Sequence, residues 1–245
     1  MRNNLAMDTF RELAEEAFLG LGIKGEKIKN TKSISVSKFV FDGDSRTRLN
    51  GTYVTIAYSK KDFGSECFCR SVSGEVSAVL SELGFPHKKP LIVGLGNSSI
   101  TSDSLGSQTV NALVDKKLAE TMLFKPSVYG ITKIESASVI KGLCGVVSPD
   151  CIIAVDTLCC IDENKLYSSI QITDAGIIPG GGLGNARTPL TKETLSVPVV
   201  SIGIPLISYS SDNLNPDSCV TPKEIDIIVK ISAKLLADGI FEFLS

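Results

Sequence analysis

Asp103, Asp156 and Asp174 are the residues of this chain best placed to do chemistry, because each follows an apolar run that reads as a buried strand. Asp103 lies in the loop Gly94-Leu95-Gly96-Asn97-Ser98-Ser99-Ile100-Thr101-Ser102-Asp103-Ser104-Leu105-Gly106, after the strand Leu91 to Leu95 and at the opening of a helix. Asp156 closes the strand Cys151 to Val155, and Asp174 closes the strand around Ile172. In an open α/β sheet, ligands bind at the carboxyl ends of the parallel strands, so the three carboxylates are expected to converge on one rim. Two carboxylates close enough to couple cannot easily both ionise: one holds a proton while the other draws a proton from water. Such a pair supplies the general base and general acid of amide hydrolysis without imidazole. Each aspartate also has an ordinary role open to it, as a helix cap or turn former.

Composition narrows the alternatives. The chain has 245 residues and a single histidine, His87, so a zinc site built on two or three histidines cannot come from one copy. His87 itself sits in the polar turn Phe85-Pro86-His87-Lys88-Lys89-Pro90 and reads as a solvated loop residue. Lys and Arg total 25 against 27 Asp and Glu, so no global field draws the chain to nucleic acid or an anionic membrane. The seven cysteines are odd in number and carry no Cys-x-x-Cys spacing. With no secretory signal pattern, they read as buried free thiols in a reducing cytoplasm. No apolar run reaches the roughly 18 residues that a membrane helix needs.

Two glycine-rich loops have weaker signals. Gly94-Leu95-Gly96-Asn97 could cradle phosphate, but no Lys-Ser/Thr follows at the spacing of a phosphate-binding loop and the third glycine of a dinucleotide fingerprint is missing. Gly180-Gly181-Gly182-Leu183-Gly184 could offer backbone N–H groups to an anion or a peptide carbonyl, or could be a tight turn.

The elements that must position these residues follow from periodicity. A capped amphipathic helix is expected over Asp8 to Leu19, and strands over Ser33 to Ser37 and Gly51 to Ile56, antiparallel and near a sheet edge. Val72, Val76, Val79, Leu80 and Leu83 make one helical stripe over Ser71 to Leu83. From residue 90, continuously apolar strands (Leu91 to Leu95, Cys151 to Val155, Ile170 to Ile172, Val197 to Ile202) alternate with helices at Leu105 to Leu118 and Glu135 to Val146. That alternation predicts βαβ units. A closing helix is signalled by Thr221-Pro222-Lys223-Glu224 as cap and first turn. With no repeat or linker, the expectation is one α/β domain over 1-245, a mostly parallel central sheet flanked by helices.

In this order, the segments resemble the spore germination protease family, endopeptidases that degrade small acid-soluble spore proteins. The family's Gly-Leu-Gly-Asn, spacer and Thr-Pro-Asp-Ala-Leu-Gly look like Gly94 to Asn97 and Thr101 to Gly106. Its Gly-Ile-Thr-Gly-Ile-Glu-Thr resembles Gly130 to Ser136, and its Ile-Asp-Ala-Leu resembles Val155-Asp156-Thr157-Leu158. Its Thr-Ile-Gln-Ile-Ser-Asp-Thr-Gly-Ile and Pro-Gly-Ser-Gly-Val-Gly-Asn are similar to Ser169 to Ile177 and Pro179 to Asn185, and its Val-Thr-Pro-Lys-Glu-Ile-Asp to Val220 to Asp226.

The resemblance implies an aspartic-type endopeptidase with catalytic Asp103 and Asp156, and a cleft shaped by Asn97, Glu135, Asp174, Gly181, Gly182 and Asn185. It also implies a fold like that of the hydrogenase-maturation peptidases, a homotetramer in the cytoplasm of the spore core, spore proteins as substrate, and no metal; no cofactor is expected, and the balanced charge and short apolar runs argue against a nucleic-acid or membrane partner. The family loses a propeptide after the Asp of Arg-Thr-Asp-Leu-Ala, where this chain has Asn4 before Leu5, so no autoprocessing step is expected. Cys159-Cys160-Ile161-Asp162 replaces the family's Ala-Ala-Arg-Ser type sequence and alters the expected substrate subsites.

Overall fold

The computed structural model describes residues 26–41, 50–160, 162–180, 187–209 and 219–245. The helix expected over Asp8 to Leu19, the Asn4-Leu5 segment, and Gly181, Gly182 and Asn185 lie outside the described residues. Among the described residues, nine strands form one sheet: β1 (Glu26–Asn30), β2 (Ile34–Phe41), β3 (Gly51–Tyr58), β4 (Pro90–Gly94), β5 (Met122–Phe124), β6 (Cys151–Cys160), β7 (Ser169–Thr173), β8 (Val199–Tyr209) and β9 (Cys219–Val220). Their spatial order is β1-β2-β3-β7-β8-β6-β4-β5, with β9 paired to β8.

The sheet has two halves with different grammar. β8, β6, β4 and β5 are parallel neighbours, whereas β1, β2, β3, β7 and β8 pair antiparallel. Continuous burial marks the parallel half: every residue of β4 and β6 is buried. In β2 and β3 burial alternates instead, with Val36, Val54 and Ile56 facing in. The strand around Ile172 has the apolar look of a βαβ strand, yet β7 runs antiparallel to both β3 and β8. Burial on both faces, which a short central strand has in either direction, is what the apolar run reports.

Helices cover both faces of the sheet. On one face lie α1 (Glu66–Leu83), α2 (Leu105–Val114) and, after three further helices, α6 (Ile225–Leu244). Their Val72, Val76, Leu80, Leu105, Val110, Ile228, Leu236 and Ile240 pack on Cys151, Ile153 and Val155. α3 (Tyr129–Thr132) leads into α4 (Ser136–Val147), which covers the other face with α5 (Lys192–Leu195); Ile140, Cys144 and Leu195 pack there on Ile152, Ala154 and Leu158. The alternation of odd and even positions along β6 sorts its side chains between these two cores.

α1 begins a turn earlier than its stripe indicates, because the Ser65 hydroxyl accepts from Phe68 N–H at 3.2 Å, and it ends at Gly84 in a left-handed conformation (φ +66°). The closing helix starts at Ile225 with Glu224 as its cap, so Thr221 and Pro222 precede it rather than form its first turn. All seven cysteines are free; Cys67 and Cys219 are exposed, which departs from the expectation of buried thiols. Among the described residues, no helix is long and apolar enough to cross a membrane.

Candidate active site

The site arises where β4 stops and β6 continues. β4 ends at Gly94, opposite Val155, while β6 runs on to Cys160 because β8 stays beside it, pairing Asp156 with Gly203 and Cys160 with Ser208. Asp156 therefore does not close its strand; it occupies the first position of β6 beyond the end of β4. The helix after β4 packs on one face and the helix before β6 on the other, so the connecting loops part at this edge and leave a crevice, as expected where strand connections diverge.

Three glycines bring the loop after β4 close to β6. A Cβ on Gly94 would lie 2.3 Å from the Gly106 carbonyl oxygen, and a Cβ on Gly106 would lie 2.3 Å from that of Val155. Gly96 has φ +95°, a conformation glycine adopts without strain, and a Cβ there would lie 2.1 Å from the Asp103 carbonyl oxygen. The Gly94-Leu95-Gly96-Asn97 loop thus serves close packing around a carboxylate. The Leu95 N–H donates to the Val155 carbonyl at 2.8 Å, one residue before Asp156.

Asp103 ends the short 3₁₀ turn Thr101–Asp103 just before α2. Its Oδ2 accepts the Asn97 N–H at 2.7 Å. Burial raises the Asp103 pKa above the ordinary carboxylate value, and the Asn97 hydrogen bond opposes that rise without cancelling it. Asp156 is 7% exposed, and its Oδ1 accepts the Thr157 N–H at 2.9 Å. Both aspartates line one cavity of about 260 Å³. Asn97 and Glu135, two of the expected cleft residues, line it too.

Asp174 is not brought there. Thr173 is level with Ser201 and hence with Ala154, so beyond it the chain leads away from Asp156 toward the amino ends of β6 and β8. At about 3.3 Å per residue, Asp174 lies roughly 10 Å from the level of Asp156 and two strands away across the sheet. Its Oδ1 instead accepts the Thr52 N–H at 2.6 Å, pinning the start of β3. The antiparallel direction of β7 is the physical reason that the three-carboxylate rim reduces to two. His87 is exposed, tilted against Phe243 with ring centroids 4.5 Å apart, and is absent from the cavity wall.

Sequence reasoning missed the opposite wall. Tyr129, Arg187 and Thr188 line the cavity; the Arg187 guanidinium stands 3.9 Å over the Tyr129 ring, and the Thr188 hydroxyl donates to Glu135. Arg187 lies three residues beyond Gly184 in the sequence, and that nearness to the glycine loop is the available signal. Among the described residues, no group of three or more His, Cys, Asp or Glu is placed to hold a metal ion.

A sheet covered on both faces, with a carboxylate-lined cleft beyond the carboxyl end of a parallel strand, defines an α/β protein with a candidate site at a strand-order break. A family model described as Germination protease matches residues 3–218, and the chain belongs to that family, which makes it a protease by class. It is 33% identical to a germination protease of Bacillus cereus, over 98% of this chain and 70% of that protein. It is 28% identical to one of Clostridium acetobutylicum, over 98% of this chain and 94% of that protein. Among solved structures, it is similar to a NiFe hydrogenase maturation protease from Thermococcus kodakarensis with TM-score 0.46 and 20% identity, covering 68% of this chain and 98% of that chain.

Proposed function

We propose that this protein is an endopeptidase that hydrolyses small acid-soluble spore proteins during spore germination, using Asp103 and Asp156 to activate water. The observation that carries the reading is the pair of aspartates from two separate elements lining one cavity in a chain of the germination protease family. Burial favours the protonated form of Asp103, and the reading gives Asp103 the role of general acid and Asp156 that of base. Asp156 takes a proton from water as its oxygen bonds to the peptide carbonyl carbon; the C–N bond then breaks and the leaving nitrogen receives a proton from Asp103. Asn97 and Glu135 shape the cleft, whose wall includes Pro179 and Gly180. The protein acts as a single domain in the cytoplasm of the spore core and needs no cofactor.

A homotetramer is part of the same reading. Exposed Ile131, Ile134, Val139 and Val146, on and beside α3 and α4, give the protein apolar surface for self-association. Light scattering of the purified chain reads the assembly, and a monomer would remove this part. Incubation with a purified small acid-soluble spore protein, followed by mass spectrometry of the fragments, tests the activity: discrete internal cleavages are expected, and an intact substrate rejects it.

A further inference from the structure

Among the described residues that line the cavity, Arg187 is the one cation, set against the carboxylates Asp103, Glu135 and Asp156. It is half-buried, and its guanidinium is held 3.9 Å over the Tyr129 ring, itself part of the wall. Among the described residues, the Arg187 side chain makes no hydrogen bond or ion pair. Glu135 is engaged by the hydroxyl of Thr188, the residue next to Arg187, and not by Arg187 itself. Lys133 adds positive charge at the same end: its Nζ lies 5.9 Å from the Tyr129 ring and donates to the Gly130 carbonyl. Stacking on an aromatic face fixes the plane of a guanidinium and leaves the N–H groups along its edge to form a bidentate pair with a carboxylate.

We infer that Arg187, carried on Tyr129, is a specificity-determining residue that binds an Asp or Glu side chain of the substrate peptide. The inference rests on the cavity being a peptide cleft. Without this cation a cleft lined by three carboxylates would repel an acidic side chain; with it, one position in the cleft selects for that charge. The bound peptide supplies the carboxylate that the protein's own side chains do not, and Tyr129 acts as the positioning residue that keeps the guanidinium at the wall.

The probes are synthetic peptides spanning the sequence of one small acid-soluble spore protein, each also made with its Asp and Glu residues changed singly to Asn or Gln. Affinity for them is measured in the Asp103→Asn background, and kcat/KM in the otherwise wild-type chain, with Arg187 intact and as Arg187→Gln and Arg187→Lys. With Arg187 intact, one acid-to-amide change is expected to lower affinity and kcat/KM about tenfold. Arg187→Gln should lose about as much on the acidic peptide and no longer distinguish it from its amide, while Arg187→Lys recovers part of the preference. A merely structural arginine would weaken both peptides alike. That result, or an unchanged preference in Arg187→Gln, or no preference in the parent, would overturn the inference while leaving the endopeptidase reading intact. Arg187-dependent preference in binding without any cleavage by the wild-type chain would reject that reading and keep the inference. No binding at all would reject both.

Discussion

Gly106 sits so close to Val155 that a Cβ built on it would lie 2.3 Å from the Val155 carbonyl oxygen. The helix that follows Asp103 is thereby seated directly on the strand that carries Asp156. The distance between the two aspartates depends on this backbone contact, with no side chain available to adjust it. Gly106→Ala must push α2 away from β6, at a cost of about 1–3 kcal/mol for overpacking. The expected outcome is a lower thermal midpoint together with loss of most peptidase activity. Wild-type activity in a stably folded Gly106→Ala protein, measured at a temperature well below its midpoint, would remove the role assigned to this contact.

Burial raises the Asp103 pKa, and this has a stability consequence of definite sign. Below the unfolded-state value of about 3.9 the carboxyl is protonated in both states, and its burial carries no charge penalty. As pH rises through the elevated folded-state value, the folded chain must hold a buried carboxylate and stability is lost. Asp103→Asn removes that loss and can still accept from Asn97. Urea unfolding should therefore show the variant more stable than wild type at pH 7, with the difference shrinking toward pH 4. A difference that is constant across this range argues against a burial-raised Asp103.

Asp174 is expected to matter for folding and not for chemistry. Its carboxylate holds the Thr52 N–H at the start of β3, away from the cavity. Asp174→Ala should cost about 1 kcal/mol of stability and leave kcat/KM unchanged. A large fall in kcat with unchanged stability would return Asp174 to the site.

Arg187 stands over Tyr129 at the cleft wall, where a cation–aromatic contact is worth about 0.5–1 kcal/mol. Replacement by alanine should raise KM several-fold with little change in kcat, because the residue shapes the wall and touches neither carboxylate in the proposed chemistry. Steady-state kinetics on a spore-protein substrate separate the two parameters; a kcat effect alone contradicts the assignment.

Much of this architecture is legible in the chain itself. Continuous apolar runs marked β4, β6 and β8 because strands buried on both faces leave that signature, and Asp103 and Asp156 could be picked out as the residues following two of them. The direction of β7 was not legible, since the run Ser169–Thr173 is equally apolar in either sense, and Asp174 was misplaced with it. The extension of β6 beyond Asp156 was hidden for a related reason. Its continued pairing depends on β8 far away in sequence, so the strand is expected to close at Asp156. Tyr129, Arg187 and Thr188 escaped notice because a cleft wall assembled from separate turns has no periodicity.

The proposed chemistry has Asp103 and Asp156 hydrolyse the peptide bond together. Its most direct test is cleavage of a purified small acid-soluble spore protein by the wild-type chain and by its Asp103→Asn and Asp156→Asn variants, each shown to be folded by circular dichroism. Defined fragments are expected from wild type, with a loss of at least about a thousandfold in rate for each variant, the order expected when an essential acid or base is removed. Cleavage by either variant at a rate comparable to wild type would contradict it.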